Sequence, residues 1–127
     1  MPTAAMLVIG NEILSGKVVD TNSPYLAKEL RDLGVDLERI LTIADDVDLI
    51  ASEAKQMSEA FDHVFTSGGI GPTHDDITCD SVAKSFKLGV SYHPDAVKRM
   101  RTHAGNVGVD LNEARMRMAR TPDGASL

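Results

Sequence analysis

A chain of 127 residues, 43% hydrophobic and 25% charged, has the length and composition of one globular domain, taken here as residues 1–127. Its single cysteine, Cys79, excludes an internal disulfide framework, and no apolar run approaches the length of a membrane span. The net charge of −6 is uneven: residues 1–96 carry 7 Lys+Arg against 16 Asp+Glu (−9), and residues 97–127 carry 6 against 3 (+3), so an acidic body argues against general nucleic-acid binding. The N-terminus lacks the basic region of a signal peptide, and a cytoplasmic location, with no membrane partner, is the expectation.

Ala4-Ala5-Met6-Leu7-Val8-Ile9 is a continuous apolar run closed by Gly10, the pattern of a strand buried on both faces. The segment from Gly10 to Gly16, followed by Lys17, is not a Walker A loop. Five residues separate its glycines where four are needed, and Val18 stands where Ser or Thr would meet magnesium. Nor does a GxGxxG dinucleotide fingerprint follow the strand. Asn22-Ser23-Pro24 starts a helix, with Asn22 expected as its cap rather than as a site residue. Leu26, Leu30 and Leu33 share one face of that helix, and Gly34 closes it. Val35 to Ile43 reads as a second strand with Val35, Leu37, Leu41 and Ile43 on one face; Arg39 interrupts the alternation and places the strand near an edge. After the turn Ala44-Asp45-Asp46, Val47, Ile50, Ala51, Ala54, Met57 and Phe61 recur at helical spacing, with Asp46 and Asp48 expected to do no more than favour the helix start.

His63 to Ser67 is the third strand, and strand starts near residues 4, 35 and 63 recur about every thirty residues with a helix between. That is the period of right-handed βαβ units, so the expected fold is α/β: a three-layer αβα sandwich around a mostly parallel sheet. Ile77, Val82, Ala83 and Phe86 suit one face of the next helix. Gly89 to Pro94 is a connector or short extended piece, Pro94 opens a helix through about His103, and Gly105, Asn106 and Gly108 make a loop. Asn112 caps a short helix ending near Met118 and Ala119, Pro122-Asp123-Gly124 is a turn, and Ala125 to Leu127 reads as the start of a strand.

The chemistry concentrates between Ser67 and Thr78, where a strand meets a glycine loop and then a helix. Gly68, Gly69 and Gly71 let backbone approach a ligand, and the unpartnered N–H groups and dipole of a helix start favour an anion such as phosphate. Asp75 and Asp76 follow at once and would repel a bare phosphate, which points to a metal-bridged one. The bland alternative is a tight turn in which Asp76 or Thr78 merely caps the helix. Glu12, Asp45 and the Gly68–Thr78 run all follow strand ends, where open α/β sheets bind ligands, so three distant segments are expected to converge on one edge. His74 is expected to be an exposed loop residue and Cys79 a buried, inert thiol. His63, His93 and His103 have no metal-ligand spacing. The basic residues Lys98, Arg99, Arg101, Arg115, Arg117 and Arg120 could meet the far end of an anionic ligand or a neighbouring subunit, with a solvated helix face the favoured reading.

The run GGIGPTHDDIT, Gly68 to Thr78, resembles the signature of the molybdopterin-binding domain of MoaB, MogA, gephyrin and CinA. Its GPTxDDxT form is most similar to the CinA branch and to the N-terminal domain of eukaryotic FAD synthases. Gly10 to Gly16, followed by Asp20-Thr21-Asn22-Ser23, resembles the opening motif of the same branch, about fifty residues upstream. The resemblance to MogA implies Mg²⁺- and ATP-dependent adenylyl transfer to a molybdopterin phosphate; that to CinA implies metal-dependent hydrolysis of a nucleotide pyrophosphate such as ADP-ribose or FAD. Matched position by position, it puts the catalytic and metal-holding carboxylates on Asp45 and Asp76. Ligand contacts fall on Glu12, Ser67, Gly68, Gly69, Gly71, Pro72, Thr73, Asp75 and Thr78. It further implies a small phosphate-bearing ligand and a homo-oligomer. Similar proteins continue with another strand and a proline-glycine loop that helps close the site, so the C-terminal part of the family domain is expected to be missing. A non-catalytic binding or oligomerisation module of a larger protein is the rival reading.

Overall fold

The apolar run near the N-terminus becomes β1 (Thr3–Ile9), the middle strand of a three-stranded parallel sheet ordered β2-β1-β3, in a computed structural model that describes all 127 residues. The other strands are β2 (Asp36–Ile43) and β3 (His63–Ser67). Between them run α1 (Asn11–Leu14), α2 (Asn22–Asp32) and α3 (Val47–Ala60). After β3 come α4 (Thr78–Ser85), β4 (Val90–Tyr92), α5 (Pro94–Val107), α6 (Glu113–Met116), a 3-10 turn over Arg117–Ala119, and β5 (Arg120–Pro122). No helix is long and apolar enough to cross a membrane.

Ala4 to Ile9 are each 3% exposed or less, as a strand with neighbours on both edges and helices on both faces requires. Ala5, Leu7 and Ile9 pack with Ile43 and with Ile50, Ala54 and Met57 of α3. On the opposite face, the Ser23 hydroxyl oxygen of α2 lies 3.4 Å from the Met6 sulfur. The sheet therefore lies between α2 on one side and α3 on the other, which makes the expected three layers.

The edge position of β2 follows Arg39, whose guanidinium stands 5.4 Å from the Phe61 ring centroid. The face assignment within β2 needs correction. Ala4 pairs with Leu37 and Ala5 with Arg39, so Glu38 is an extra residue, a β-bulge. Leu41 and Ile43 stay in register with Leu7 and Ile9, whereas Leu37 goes with Ala4 to the other face of the sheet.

The inner face of α4 also differs from expectation. Ala83 is buried and Ile77 packs against the core as expected, but the other buried residues of α4 are Thr78, Ser81 and Ser85, while Phe86 is 47% exposed. Small side chains let α4 lie close against α3, and their hydroxyls are satisfied: Ser81 donates to the Ile77 carbonyl at 2.6 Å and Ser85 to the Ala51 carbonyl at 2.7 Å. In α5, the helix continues through Gly105 and Asn106 and ends at Gly108, whose φ of 69° makes a left-handed stop. The last strand, β5, precedes the Pro122-Asp123-Gly124 turn rather than following it, and pairs antiparallel with β4.

Candidate functional site

Because β1, β2 and β3 are parallel and in register, Ile9, Ile43 and Ser67 end at one edge of the sheet. There the Gly10 N–H donates to the Ile43 carbonyl at 3.0 Å. The Asn11 N–H donates to the Asp45 carboxylate at 3.3 Å, and the Asp45 N–H donates to the Asn11 side-chain carbonyl at 3.2 Å. This reciprocal pair holds Asp45 at the mouth of the β1–β2 crevice. The Glu12 carboxylate folds back over Gly10, where a Cβ would come within 2.5 Å of Glu12 Oε1. Asp46 caps α3 by accepting the Leu49 N–H at 2.9 Å, as expected.

Asn22 does not cap α2. Asp20 does so, accepting the N–H groups of Asn22 at 3.1 Å and Ser23 at 3.0 Å as well as the Ser23 hydroxyl. The Ser23 hydroxyl, with these N–H groups, outweighs burial and holds the Asp20 carboxyl below its usual range. Asn22 is thereby free to donate its side-chain amide to the Ser67 hydroxyl at 2.7 Å, joining the start of α2 to the end of β3.

The glycine loop is shaped by two left-handed residues, Gly68 (φ 92°) and Gly69 (φ 65°). A Cβ on Gly68 would lie 2.0 Å from the Ile9 carbonyl oxygen, and one on Gly69 would lie 2.2 Å from Thr78 Oγ1. Thr78 staples the loop: its hydroxyl donates to the Gly68 carbonyl at 2.8 Å and its N–H to the Gly69 carbonyl at 3.1 Å. Neither Asp76 nor Thr78 caps α4. Asp76 instead closes the turn before it, accepting the Thr73 N–H at 2.9 Å and the Thr73 hydroxyl at 2.8 Å. Burial pushes the Asp76 carboxyl up, but Thr73, the Gly71 N–H and the Arg117 guanidinium outweigh it, and the group sits below the usual carboxylate range. Of the donors between Gly69 and Thr73, those of Gly71 and Thr73 face Asp76 and Pro72 has none; the N–H groups of Gly69 and Ile70 have no protein acceptor. His74 and Asp75 are exposed at the tip of the turn, 3.2 Å apart.

A cavity of about 410 Å³ opens beside the loop, lined by Gly69, Gly71, Asp76, Asp80, Arg117 and Arg120 among others. Asp80, in the first turn of α4, receives the guanidinium groups of both Arg117 and Arg120. Arg117 also donates to the main-chain carbonyl of Asp76 at 3.4 Å. Beneath them, burial and the neighbouring Asp80 push the Cys79 thiol up, and its Sγ lies 3.4 Å from the Arg120 carbonyl. Cys79 is half-buried rather than buried, and the raised thiol still makes a poor nucleophile.

The profile of the family described as "Probable molybdopterin binding domain" matches residues 5–122. The chain belongs to that family. It is 44% identical to a "Probable FAD synthase" of Caenorhabditis elegans over 121 residues, covering 88% of this chain and 23% of that protein. It is 34% identical to a "CinA-like protein" of Colwellia psychrerythraea over 121 residues, covering 95% of this chain and 28% of the relative. The chain thus spans less than a third of the length of these two curated relatives. Among solved structures, CinA of Thermoplasma acidophilum, of unknown function, superposes with a TM-score of 0.85 at 32% identity, over 95% of this chain and 71% of that one. MoaB of Thermus thermophilus superposes at a TM-score of 0.63 and 19% identity, over 94% and 70% of the two chains, which is a likeness of fold.

For a molybdopterin-binding-like domain of CinA type, the arrangement brings Glu12, Asp45, Asn22 and Ser67 to the strand ends. The Gly68–Thr78 loop adjoins them through Ser67. Asp45 and Asp76 share no hydrogen-bond partner, and no group of three His, Cys, Asp or Glu side chains is placed to hold a metal ion by itself. Arg117 and Arg120 belong to the loop's surroundings rather than to a solvated helix face. Lys98, Arg99 and Arg101, on α5, make no ion pair. The Arg117–Ala119–Arg120 spacing carries no signal of a partner some forty residues upstream; the only local cue was Asp80 beside the glycine motif.

Proposed function

We propose that this domain binds a pterin phosphate or a nucleotide pyrophosphate through the Gly68–Thr78 loop, with Mg²⁺ shared between protein carboxylates and the ligand. The observation that carries this reading is the pair of free N–H donors at Gly69 and Ile70, lying beside a cavity that two arginines also line. Backbone donors at a strand-to-helix junction suit phosphate oxygens. The donor set also suits Mg²⁺. That ion commonly takes one or two carboxylates and completes its shell with waters and phosphate oxygens, so two aspartates without a third ligand fit a ligand-dependent site. Asp45 and Asp76 would hold it, and bound there it would neutralise charge developing on phosphate. Asn11 aims the Asp45 carboxylate, and Thr73 keeps Asp76 ionised and fixed.

Likeness to the CinA-like relatives is the ground for a second reading, metal-dependent hydrolysis of a nucleotide pyrophosphate such as ADP-ribose or FAD, and the relative named as an FAD synthase supports only the choice of a flavin nucleotide as a ligand to test. Titration calorimetry of the chain with ADP-ribose, FAD, and ATP plus molybdopterin, with and without Mg²⁺, tests both. Heat that depends on Mg²⁺ is the expected result. Product release from FAD or ADP-ribose selects hydrolysis, and binding without turnover selects a non-catalytic module. No heat with any ligand overturns the proposal.

A further inference from the structure

We infer that the groove between α5 and the segment from Val109 to Met118 is a second binding site, separate from the glycine loop, for a small molecule with an apolar body and a carboxylate head. Val97, Met100 and Ala104 recur at helical spacing on α5, yet the helix buries none of its 14 residues. Met100 and Ala104 instead join Val109, Leu111 and Met118 in lining a cavity of about 570 Å³. Val109 is 41% and Met118 45% exposed, so this apolar surface stays open to solvent. The volume falls within the range of about 300–1,000 Å³ that holds a small organic ligand. Eight residues form the walls. A stable protein interface takes about 20 or more from each side, so the fit is to a small molecule. The polar part of the lining is Arg99, His103 and Arg115, with no carboxylate among them. None of the three makes an ion pair within the protein. Asp95, one turn before Arg99, lies outside the lining, as do Asp110 and Glu113. Arg115 donates Nη1 to the Asp110 carbonyl at 2.9 Å, which fixes its guanidinium at the groove and leaves its other donors without a protein acceptor. Such a planar fork suits a carboxylate, which it engages at two points. Charge and apolar surface thus meet in one cleft, and an amphipathic acid complements both.

Only Met118 is shared with the cavity beside the glycine loop, so the two sites are tested apart. Decanoate below its micellar concentration, decanol and acetate are titrated by calorimetry into the wild-type chain and into Arg99→Gln, Arg115→Gln and Ala104→Leu, with circular dichroism to confirm folding. Decanoate is expected to bind with one site per chain, decanol about tenfold more weakly, and acetate without measurable heat. Each arginine variant is expected to weaken decanoate by about fivefold, the scale of one solvent-accessible ion pair, and to leave decanol within about twofold. Ala104→Leu keeps both arginines but fills the groove, and is expected to abolish decanoate binding. Decanol binding as tightly as decanoate overturns the inference, and that wild-type comparison stands even where an arginine variant fails to fold. Decanoate affinity unmoved by Ala104→Leu, or no binding of decanoate by the wild type, overturns it too. A dimer in sedimentation that Ala104→Leu dissociates would show a second copy of the chain in the groove, and likewise overturns it.

Discussion

The two corners of the site are held in place by different means. At the Asp45 corner, the candidate residues lie at or close beyond the ends of hydrogen-bonded strands or reach them from a helix start. Asn11 and Asp45 exchange bonds across the β1–β2 register, and Asn22 reaches Ser67 from the start of α2. At the Asp76 corner, the chain leaves the sheet, turns through two left-handed glycines and closes on itself through Asp76 and Thr73. It is then backed by Arg117, which arrives from much later in the sequence. The first corner inherits its rigidity from a buried strand; the second depends on backbone conformation and on a distant segment. Substitutions at the glycines should therefore act through folding, and those at the strand-end polar groups should act mainly locally.

The sharpest way to break this contrast is Gly68→Ala. Its Cβ would meet the Ile9 carbonyl, which belongs to the central strand and cannot rotate away. A loss of about 3 kcal/mol or more, or failure to fold, is expected in urea unfolding. Gly69→Ala meets a side chain instead, Thr78 Oγ1, which can rotate at the loss of its bond to Gly68. A smaller loss of about 1–2 kcal/mol is expected, and equal losses at the two glycines would contradict the distinction.

Asp76→Asn comes next, and acts on function more than on folding. The Asn side-chain oxygen can still accept the Thr73 N–H, so stability should change by less than about 1 kcal/mol. Mg²⁺-dependent turnover, if the hydrolytic reading holds, should fall about a hundredfold. Unchanged turnover would remove Asp76 from the chemistry.

The pH dependence follows from the depressed carboxyls of Asp20, Asp48, Asp62 and Asp76. Each binds its proton less readily in the folded chain than in the unfolded one. Their stabilisation is thus present above the ordinary carboxylate value of about 4 and is lost as pH falls through the lower folded values. Urea midpoints measured between about pH 5 and 2 should decline, and Asp20→Asn should flatten part of that decline.

The smallest effects test the reassigned helix cap. Asp20→Ala should cost about 1 kcal/mol by uncapping α2, whereas Asn22→Ala should cost about 0.5 kcal/mol, one exposed hydrogen bond to Ser67. The reverse order would restore Asn22 as the cap.

What was legible in the sequence is what depends on neighbours along the chain. An unbroken apolar run from Ala4 to Ile9 can be satisfied only by burial on both faces, and the period of Val47, Ile50, Ala54 and Met57 allows only one inner helix face. The glycines at Gly68 and Gly69 announced a turn that other residues adopt only with strain, and Arg39 marked an edge. The resemblance of that loop to the molybdopterin-binding signature then pointed to the family.

Only the tertiary structure decided the rest, because it turns on side chains meeting across long stretches of chain. The bulge at Glu38 moved Leu37 to the other face of the sheet, since one extra residue reverses an alternation of period two. The close fit of α4 on α3 selected Ser81 and Ser85 over Phe86, since interhelical space favours small, hydrogen-bonded side chains there. Asp20 took the cap because its carboxylate reaches two N–H groups at once, leaving Asn22 to Ser67. Arg117 and Arg120 found Asp80 across 37 and 40 residues. Electrostatic pairing is set by distance in space, and no local pattern of charge encodes which carboxylate a folded segment will bring within reach.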